Sequence, residues 1–336
     1  MIDRPPVAGP AGPFAVLRGR GPVPPAIAGA VAALGNFDGL HRGHRTVLEA
    51  ARGLAGRLGR PAVLLTFEPH PRMFFRPQEP MFRLTPEPVK LAMAQRLGLD
   101  GAVVLPFDAA MAATTAERFI AGLLVGELGL SGVAAGHDFH FGRGREGTPG
   151  HLAQQASNAG LAVEIVPPLR EGSEPVSSSA IRARLEDGDV EAAARLIGSR
   201  WVVRSTVQHG DKRGRTLGFP TANLKLDAGC RLRHGIYAVR AALDGRLVDG
   251  VASFGRRPTF DDGAPLLEVF LFDFSGDLYG RTLDVEFVAW IRGEEKFASI
   301  DDLVRQMDRD SADARAALAR GPLVPAPSLL PLAPAA

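Results

Sequence analysis

Short apolar runs alternate with amphipathic stretches between Phe14 and Gly198, and this alternation limits the fold more than any other feature of the sequence. It is typical of a doubly wound parallel sheet, with helices on both faces and ligands at the carboxyl ends of the strands. The predicted strands are Val31–Leu34, Ala62–Phe67, Ala102–Leu105, Val133–Gly136 and Val163–Val166, and the predicted helices are His44–Leu58, Pro88–Leu97, Thr115–Leu128 and His151–Asn158.

The pattern changes beyond Arg200, where strands follow one another without helices between them. Two short helices, Ser179–Glu186 and Asp189–Ile197, precede the change, and a last helix begins after an N-cap at Ser299. The predicted strands are Trp201–Gln208, Ile236–Leu243, Arg246–Phe254, Leu267–Phe274 and Leu283–Ile291, with a hairpin at Asp244-Gly245. We therefore expect an α/β domain at 14–198, a small antiparallel β-barrel domain with a C-terminal helix at 199–320, and flexible tails at 1–13 and 321–336.

Composition limits the classes of function. A chain of 336 residues is long enough for two domains. Its net charge of +2 gives no argument for binding nucleic acid or a membrane. The single cysteine, Cys230, excludes an internal disulfide and a zinc site built of several cysteines. With no basic and apolar leader at the N-terminus, these features predict a cytoplasmic protein.

The decapeptide G-N-F-D-G-L-H-R-G-H, residues 35–44, lies between a predicted buried strand and a predicted helix. A helix N-terminus offers unpaired amide donors and a partial positive charge, and His41 and His44 can add donors or further charge. The pattern therefore predicts a phosphate site of a nucleotide, whereas the alternative is a sharp turn that happens to contain histidines. The candidate phosphate-binding residues of this loop are Gly35, Asn36, Phe37, Asp38 and Gly39.

Two further motifs follow directly on predicted strands, T-F-E-P-H-P at 66–71 and G-H-D-F-H-F-G at 136–142. Their histidines, with His41 and His44, raise zinc as an alternative, but they come from separate loops without the spacing of metal ligands. Phe67 and Phe139 are either core residues or rings that stack on a planar ligand.

The segment V-S-S-S-A-I-R, residues 176–182, predicts a second phosphate clamp. Ser178 and Ser179 lie at a helix start, and Arg182 lies in its first turn. The alternative is that Ser179 serves only as the N-cap and Arg182 as a surface residue.

The segment 209–224 predicts a second nucleotide site in the barrel. Its basic glycine-rich loop suits phosphates, and the loop candidates are Gly210, Lys212, Arg213 and Gly214. Thr221 and Asn223 follow it, and their oxygens are hard ligands suited to Mg²⁺. A solvated turn would look similar. Glu268 shares a predicted strand face with Phe270, Phe272 and Phe274, so it is either a general base or an edge glutamate.

The histidine motif resembles that of the H-x-G-H nucleotidyltransferases, which have a Rossmann-like fold. Residues 14–318 as a whole resemble the prokaryotic bifunctional riboflavin kinase/FAD synthetases. The matching segments include R-L-T (83–85), G-R-x-L-G-F-P-T-A-N (214–223), G-I-Y-A-V (235–239), R-P-T-F (257–260) and D-L-Y-G (277–280).

The resemblance implies that the barrel domain phosphorylates riboflavin to FMN with MgATP. The α/β domain then transfers an adenylyl group from a second ATP to FMN, giving FAD and pyrophosphate. By the same resemblance Thr221 and Asn223 hold Mg²⁺ and the ATP phosphates, and Glu268 is the base. His41, His44 and Arg182 act electrostatically. Phe67, Asp138, Phe139 and Arg257 are the implied flavin-binding residues.

Four positions depart from the family pattern. Ser179 stands in place of a threonine, Ser205 where glycine is common, and Ser253 and Phe254 where the family has asparagine and isoleucine. The alternatives are a descendant with one activity, a flavin-binding regulator without turnover, and a transferase for another small phosphate. The last leaves the barrel unexplained. The sequence does not predict an oligomeric state.

Overall fold

The computed structural model describes residues 13–210, 217–243, 245–256, 265–320 and 328–332. The chain forms two compact units. The first comprises the described residues up to Glu79 together with Lys90–Val176, and the second comprises Pro80–Val89 and Ser177–Leu332. The domain change predicted at 198–199 stays a prediction. Of the predicted flexible tails, nearly all of 1–13 lies outside the described residues, as do 321–327 and 333–336.

The first unit contains a six-stranded sheet in the order β1-β4-β3-β2-β5-β6, and every adjacent pair is parallel. The strand β2 is buried along its whole length, as expected of a central strand covered on both faces. The five predicted strands are confirmed to within one residue, and the edge strand β1 was not predicted. The strands are β1 (Ala15–Arg18), β2 (Val31–Leu34), β3 (Ala62–Glu68), β4 (Gly101–Pro106), β5 (Gly132–Gly136) and β6 (Ala162–Val166), followed by the hairpin β7 (Arg170–Glu171) and β8 (Glu174–Pro175).

Helices cover both faces of this sheet. Alternate residues of a strand point to opposite faces. Ala32 and Leu34 pack with Phe119 and Leu152 on one face, whereas the buried stripe of α1 packs on the other. The predicted doubly wound sheet is therefore confirmed. The helices are α1 (Arg42–Leu58), α2 (Pro71–Phe75), α3 (Glu87–Arg96), α4 (Ala109–Ala112), a π-helix (Arg118–Glu127) and α5 (Pro149–Asn158), with short 3₁₀ turns at Pro25–Ile27 and Arg143–Arg145.

The second unit contains a closed antiparallel barrel in the order β10-β13-β12-β11-β14-β9, so the predicted barrel is confirmed. The pairing of Leu243 with Arg246 is that of the predicted two-residue hairpin, although Asp244 lies outside the described residues. The strands are β9 (Val202–Gln208), β10 (Ala222–Lys225), β11 (Gly235–Leu243), β12 (Arg246–Arg256), β13 (Pro265–Leu271) and β14 (Thr282–Arg292).

The strand predicted at 267–274 ends earlier than expected. The strand β13 stops at Leu271, and Asp273 has a φ of 55°, a left-handed conformation that cannot continue a strand. Glu268 therefore shares the strand face with Phe270 but not with Phe272 and Phe274. The prediction that all four residues lie on one strand face was wrong. The short strand β10 was not predicted.

Helices pack against the barrel. The helices α6 (Ser178–Glu186) and α7 (Val190–Ile197) meet at a turn where Gly188 has a φ of 82°. The C-terminal helix Ile300–Ala319 has Ser299 as its N-cap, as predicted, and packs on β11, β12 and β14. The segment Pro80–Val89 belongs to this unit, where the Trp201 indole donates a hydrogen bond to the carbonyl of Leu84.

A fully buried carboxylate, Glu286, lies in β14. It pairs with Arg200 at 2.6 Å and accepts a hydrogen bond from the Ser328 hydroxyl. Leu330 and Leu332 are buried as well, so the described residues 328–332 lie against the unit that holds the barrel. Among the described residues, no helix combines the length and the apolar character that crossing a membrane requires.

Candidate active sites

The loop after β2 is held in a conformation that few residues adopt. Phe37, Gly39 and Leu40 all have positive φ angles, of 51°, 98° and 39°. The side chains of Phe37 and Leu40 are fully buried, and their burial stabilises this backbone. A Cβ at Gly35 would lie 3.1 Å from the Phe37 ring, so a side chain there would require that ring to shift. The predicted phosphate loop is thus a tightly built connection between β2 and α1.

His41 is the N-cap of α1, because its Nδ1 accepts a hydrogen bond from the backbone N–H of His44 at 3.2 Å. The helix begins at Arg42, two residues before the predicted start at His44, so His44 lies in its first turn. The two imidazole rings stack with their centroids 3.6 Å apart. Since Nδ1 of His41 is an acceptor, the proton of the neutral ring sits on Nε2, so that Nε2–H is a donor.

His44 is held in its neutral form. Burial lowers its pKa well below the usual value of 6.5, and repulsion by His41, whenever that ring is protonated, and by the Lys90 ammonium lowers it further. Its Nδ1 atom is sealed from solvent and has no hydrogen-bond partner. Of the two roles that the sequence left open for these histidines, hydrogen-bond donor or cation, the structure favours neutral donors.

A buried polar cluster stands at the end of β3, beside the predicted phosphate loop. The Lys90 ammonium, in α3, donates to the Thr66 hydroxyl at 3.2 Å and to the Glu68 carboxylate at 3.4 Å. The Thr66 hydroxyl in turn donates to the carbonyl of Asn36 at 3.2 Å. Thr66 and Lys90 are both almost fully buried. The cluster therefore joins β3 and α3 to the loop.

The predicted flavin-binding residues of this unit occupy different environments. Phe67 is buried and its ring contacts those of Phe107 and Phe119. Phe139 stacks on Phe141 at 5.7 Å, whereas the Asp138 side chain is largely exposed. Their contact with flavin stays a prediction.

The other histidines have structural partners or are exposed. His70 is the N-cap of α2, and His140 contacts the carbonyl of Asp138. Within the described part of the chain, no group of three or more His, Cys, Asp or Glu side chains could hold a metal ion.

The serine cluster of the second unit forms the start of α6. Ser177 is the N-cap, and its hydroxyl accepts from the backbone N–H of Ala180. Ser178 and Ser179 are the first two helical residues, so the alternative that made Ser179 the N-cap is wrong. Arg182 Nε donates to the carbonyl of Phe82 at 2.6 Å, which fixes the guanidinium on the Pro80–Val89 segment. That these residues bind phosphate stays a prediction.

The barrel brings Asn223 and Glu268 together. They are paired residues of the antiparallel strands β10 and β13, so their side chains project from the same face of the sheet. Ser253 of β12 pairs with Glu268 on its other side. One cross-strand row therefore holds a predicted metal ligand, the predicted base and one departure from the family pattern.

Asn223 has the features expected of a metal ligand. It is 7% exposed, and its Oδ1 atom is buried without a hydrogen-bond partner. An unpaired buried carbonyl oxygen is costly unless something binds it, and Mg²⁺ prefers such oxygens. A Cβ at Gly210 would lie 2.6 Å from the Asn223 amide nitrogen, so the glycine lets the backbone close over this side chain. The Asn223 side chain therefore fits a ligand of Mg²⁺.

Four predicted residues, Lys212, Arg213, Gly214 and Arg257, lie outside the described residues. The departure at Ser205 has a structural explanation, since its hydroxyl donates to the carbonyl of Lys225 and ties β9 to β10.

Two family models match the chain. The FAD synthetase model covers residues 24–180, and the riboflavin kinase model covers residues 197–318. A bifunctional riboflavin kinase/FMN adenylyltransferase of Haemophilus influenzae is 38% identical over 289 residues, covering 86% of this chain and 94% of that protein. Proteins of the same description from Escherichia coli K12 (38% identical, 85% and 92% covered) and Bacillus subtilis (36%, 84% and 91%) also match. The chain belongs to this bifunctional family.

A crystal structure of a Streptococcus pneumoniae protein, described as a macrolide-efflux protein, is 31% identical with a TM-score of 0.77. The likeness covers 89% of this chain and 98% of that one. The predicted activities are confirmed, with adenylyl transfer to FMN in the N-terminal part and riboflavin phosphorylation in the C-terminal part. The substrates and products are ATP, riboflavin, FMN and FAD.

Sequence reasoning missed Lys90 and the Thr66 hydroxyl. A signal was present, because Lys90 interrupts the apolar run Val89 to Ala94, in which its neighbours are all buried. A lysine at such a position needs buried partners, but the sequence does not say which residues provide them.

Proposed function

We propose that riboflavin phosphorylation takes place beside Asn223 and Glu268, and that adenylyl transfer takes place beside His41 and His44. The observation that carries the first assignment is the pairing of Asn223 with Glu268, which sets an unpartnered buried oxygen next to a carboxylate. The second rests on the two stacked imidazoles at the N-terminus of α1.

In the kinase reaction, Thr221 and Asn223 would hold Mg²⁺ together with the phosphates of ATP. The ion would supply positive charge that offsets the charge of the phosphate oxygens. Glu268 accepts the proton of the ribityl 5′-hydroxyl as that oxygen attacks the γ-phosphorus, and ADP leaves. The loop residues Gly210, Lys212, Arg213 and Gly214 are further proposed phosphate ligands.

In the adenylyl transfer, a phosphate oxygen of FMN attacks the α-phosphorus of ATP and pyrophosphate leaves. An FMN phosphate needs little deprotonation, so the histidines act as donors and not as bases. The Nε2–H of His41 and the ring of His44 donate hydrogen bonds to phosphate oxygens, where charge increases in the transition state. No covalent intermediate is involved. The cytoplasmic location stays a prediction from the sequence.

The test is an HPLC time course with riboflavin, ATP and Mg²⁺ for the wild type, His44→Ala and Asn223→Ala. We expect FMN and then FAD from the wild type, and FMN alone from the histidine variant. The asparagine variant should form FAD only from added FMN. Ser205→Ala serves as a barrel control that should keep both activities. Wild-type rates of FAD formation in His44→Ala, or of FMN formation in Asn223→Ala, would contradict the corresponding assignment.

A further inference from the structure

In the cluster of Thr66, Glu68 and Lys90, the donors and acceptors of the hydrogen bonds can be assigned. A hydroxyl carries a single proton, and Thr66 uses it to donate to the carbonyl of Asn36. The Lys90 ammonium has no acceptor atom, so in its contact with Thr66 it must be the donor. Lys90 therefore donates to Thr66, and Thr66 donates to the backbone of the phosphate loop.

These two hydrogen bonds end at Asn36, next to the part of the loop with unusual backbone angles. Asn36 directly precedes Phe37, the first of the residues with positive φ, and lies five residues before His41. Strained backbone persists only where its surroundings hold it, and the hydrogen bond to the Asn36 carbonyl is one of the contacts that hold this loop. A shift here would move the loop that leads to both histidines.

Packing of α3 does not by itself require the charge of Lys90. A buried lysine is costly, and pairing it with Glu68 only offsets that cost. A leucine would fill the same space in α3 without a charge. Lys90 is in addition close enough to His44 for its charge to act on that ring. Lys90 is thus linked to the loop backbone through the Thr66 hydroxyl, and its charge acts on one of the two histidines.

We propose that Lys90 is a positioning residue for adenylyl transfer, acting through the Thr66 hydroxyl on the Asn36 carbonyl and so on the loop that carries His41 and His44. The inference rests on the proposed role of that loop in binding the phosphates of ATP. Lys90 itself needs no contact with substrate. Misplacement of a reacting group by about 1 Å can lower a rate by about 100-fold.

The test compares Thr66→Val with Thr66→Ser, and Lys90→Met with Lys90→Arg, in steady-state formation of FAD from FMN. Valine keeps the shape of threonine without the hydroxyl, so we expect kcat to fall by about 10- to 100-fold with KM for FMN changed less than about threefold. Serine keeps the hydroxyl and should stay within about threefold of the wild type. Methionine should act like valine, and arginine should recover part of kcat. Riboflavin phosphorylation by the same proteins provides an internal control and should not change.

Thermal unfolding of each variant separates positioning from folding. A loss of kcat at a temperature where the variant is fully folded supports the proposal. The proposal is overturned if Thr66→Val retains wild-type kcat, or if activity falls only in proportion to the folded fraction. His44→Ala is assayed in parallel. If it keeps full FAD synthesis, the proposed role of the loop has failed. If it loses FAD synthesis while Thr66→Val and Lys90→Met do not, only the role of Lys90 has failed.

Discussion

Asn223 and Glu268 face each other across two antiparallel strands of the barrel, one with an unpartnered buried oxygen and the other with a carboxylate. This pairing brings the proposed metal ligand and the proposed base into one site, although they are 45 residues apart in the sequence (268 − 223). Strand register fixes their separation, and a rigid strand positions a side chain better than a loop does. The kinase assignment depends on this relationship.

Gly210 tests whether the position of Asn223 matters for phosphorylation. A Cβ there would lie 2.6 Å from the amide nitrogen and 2.8 Å from Oδ1 of Asn223, so Gly210→Ala must displace the amide. We expect FMN formation to fall by about 10- to 100-fold and to require more Mg²⁺, measured by titration of the initial rate. Gly293→Ala is the matched control, since a Cβ there meets nothing within 4 Å. Equal rates in the two variants would show that the amide position is unimportant.

The low pKa of His44 predicts a pH dependence of stability. The unfolded chain binds a proton at His44 near the usual value of 6.5, whereas the folded protein does so only at a lower pH. Between these two pKa values the unfolded state binds more protons, so the free energy of unfolding decreases as pH falls below 6.5. One such group contributes a slope of at most about 1.4 kcal/mol per pH unit.

The measurement is urea unfolding of the first unit at pH 7 and at pH 5. His44→Asn cannot take up the proton and should lose less stability than the wild type over this range. His137→Asn is the control, because that side chain is 49% exposed. If His44→Asn and the wild type have the same pH dependence, His44 is not held neutral.

The ion pair of Arg200 and Glu286 predicts a large effect on the stability of the barrel unit. The Glu286 carboxylate is fully buried, and Arg200→Met leaves it only the longer contact with Arg240 at 3.9 Å, so the loss should cost up to about 3–5 kcal/mol in the free energy of unfolding. Replacing both partners by apolar residues should recover most of this loss. Arg305→Met, which removes an exposed pair with Asp302, should cost at most about 1 kcal/mol. Denaturant unfolding measures all three, and similar losses at both arginines would contradict the prediction.

The sequence predicted most elements of the fold because their apolar patterns are strong. The strands β2 to β6 and the amphipathic helix α1 were found in this way. The strands β1 and β10 were missed for a different reason. Ala15–Arg18 lies at a sheet edge and Ala222–Lys225 is only four residues long, so neither carries a complete apolar or alternating pattern. The end of β13 depends on one left-handed residue, Asp273, which no pattern indicates.

The site was predictable where its residues are adjacent in sequence, as at His41 and His44. The sequence did not show which residues from other elements lie next to these side chains. The neutral state of His44 depends on burial and on Lys90, which comes from a different helix. Likewise, the pairing of Ser253 with Glu268 follows from strand register, which is set by the closed barrel and not by either segment alone.

The most direct test of the account is the initial rate of both reactions in one preparation of Glu268→Gln. Glutamine keeps the shape of the side chain but cannot accept the riboflavin proton. We expect FMN formation from riboflavin to fall by about 100- to 10,000-fold, while FAD formation from added FMN stays at the wild-type rate. If riboflavin is still phosphorylated at the wild-type rate, Glu268 is not the base. If both rates fall together, the two reactions do not have the separate sites assigned to them.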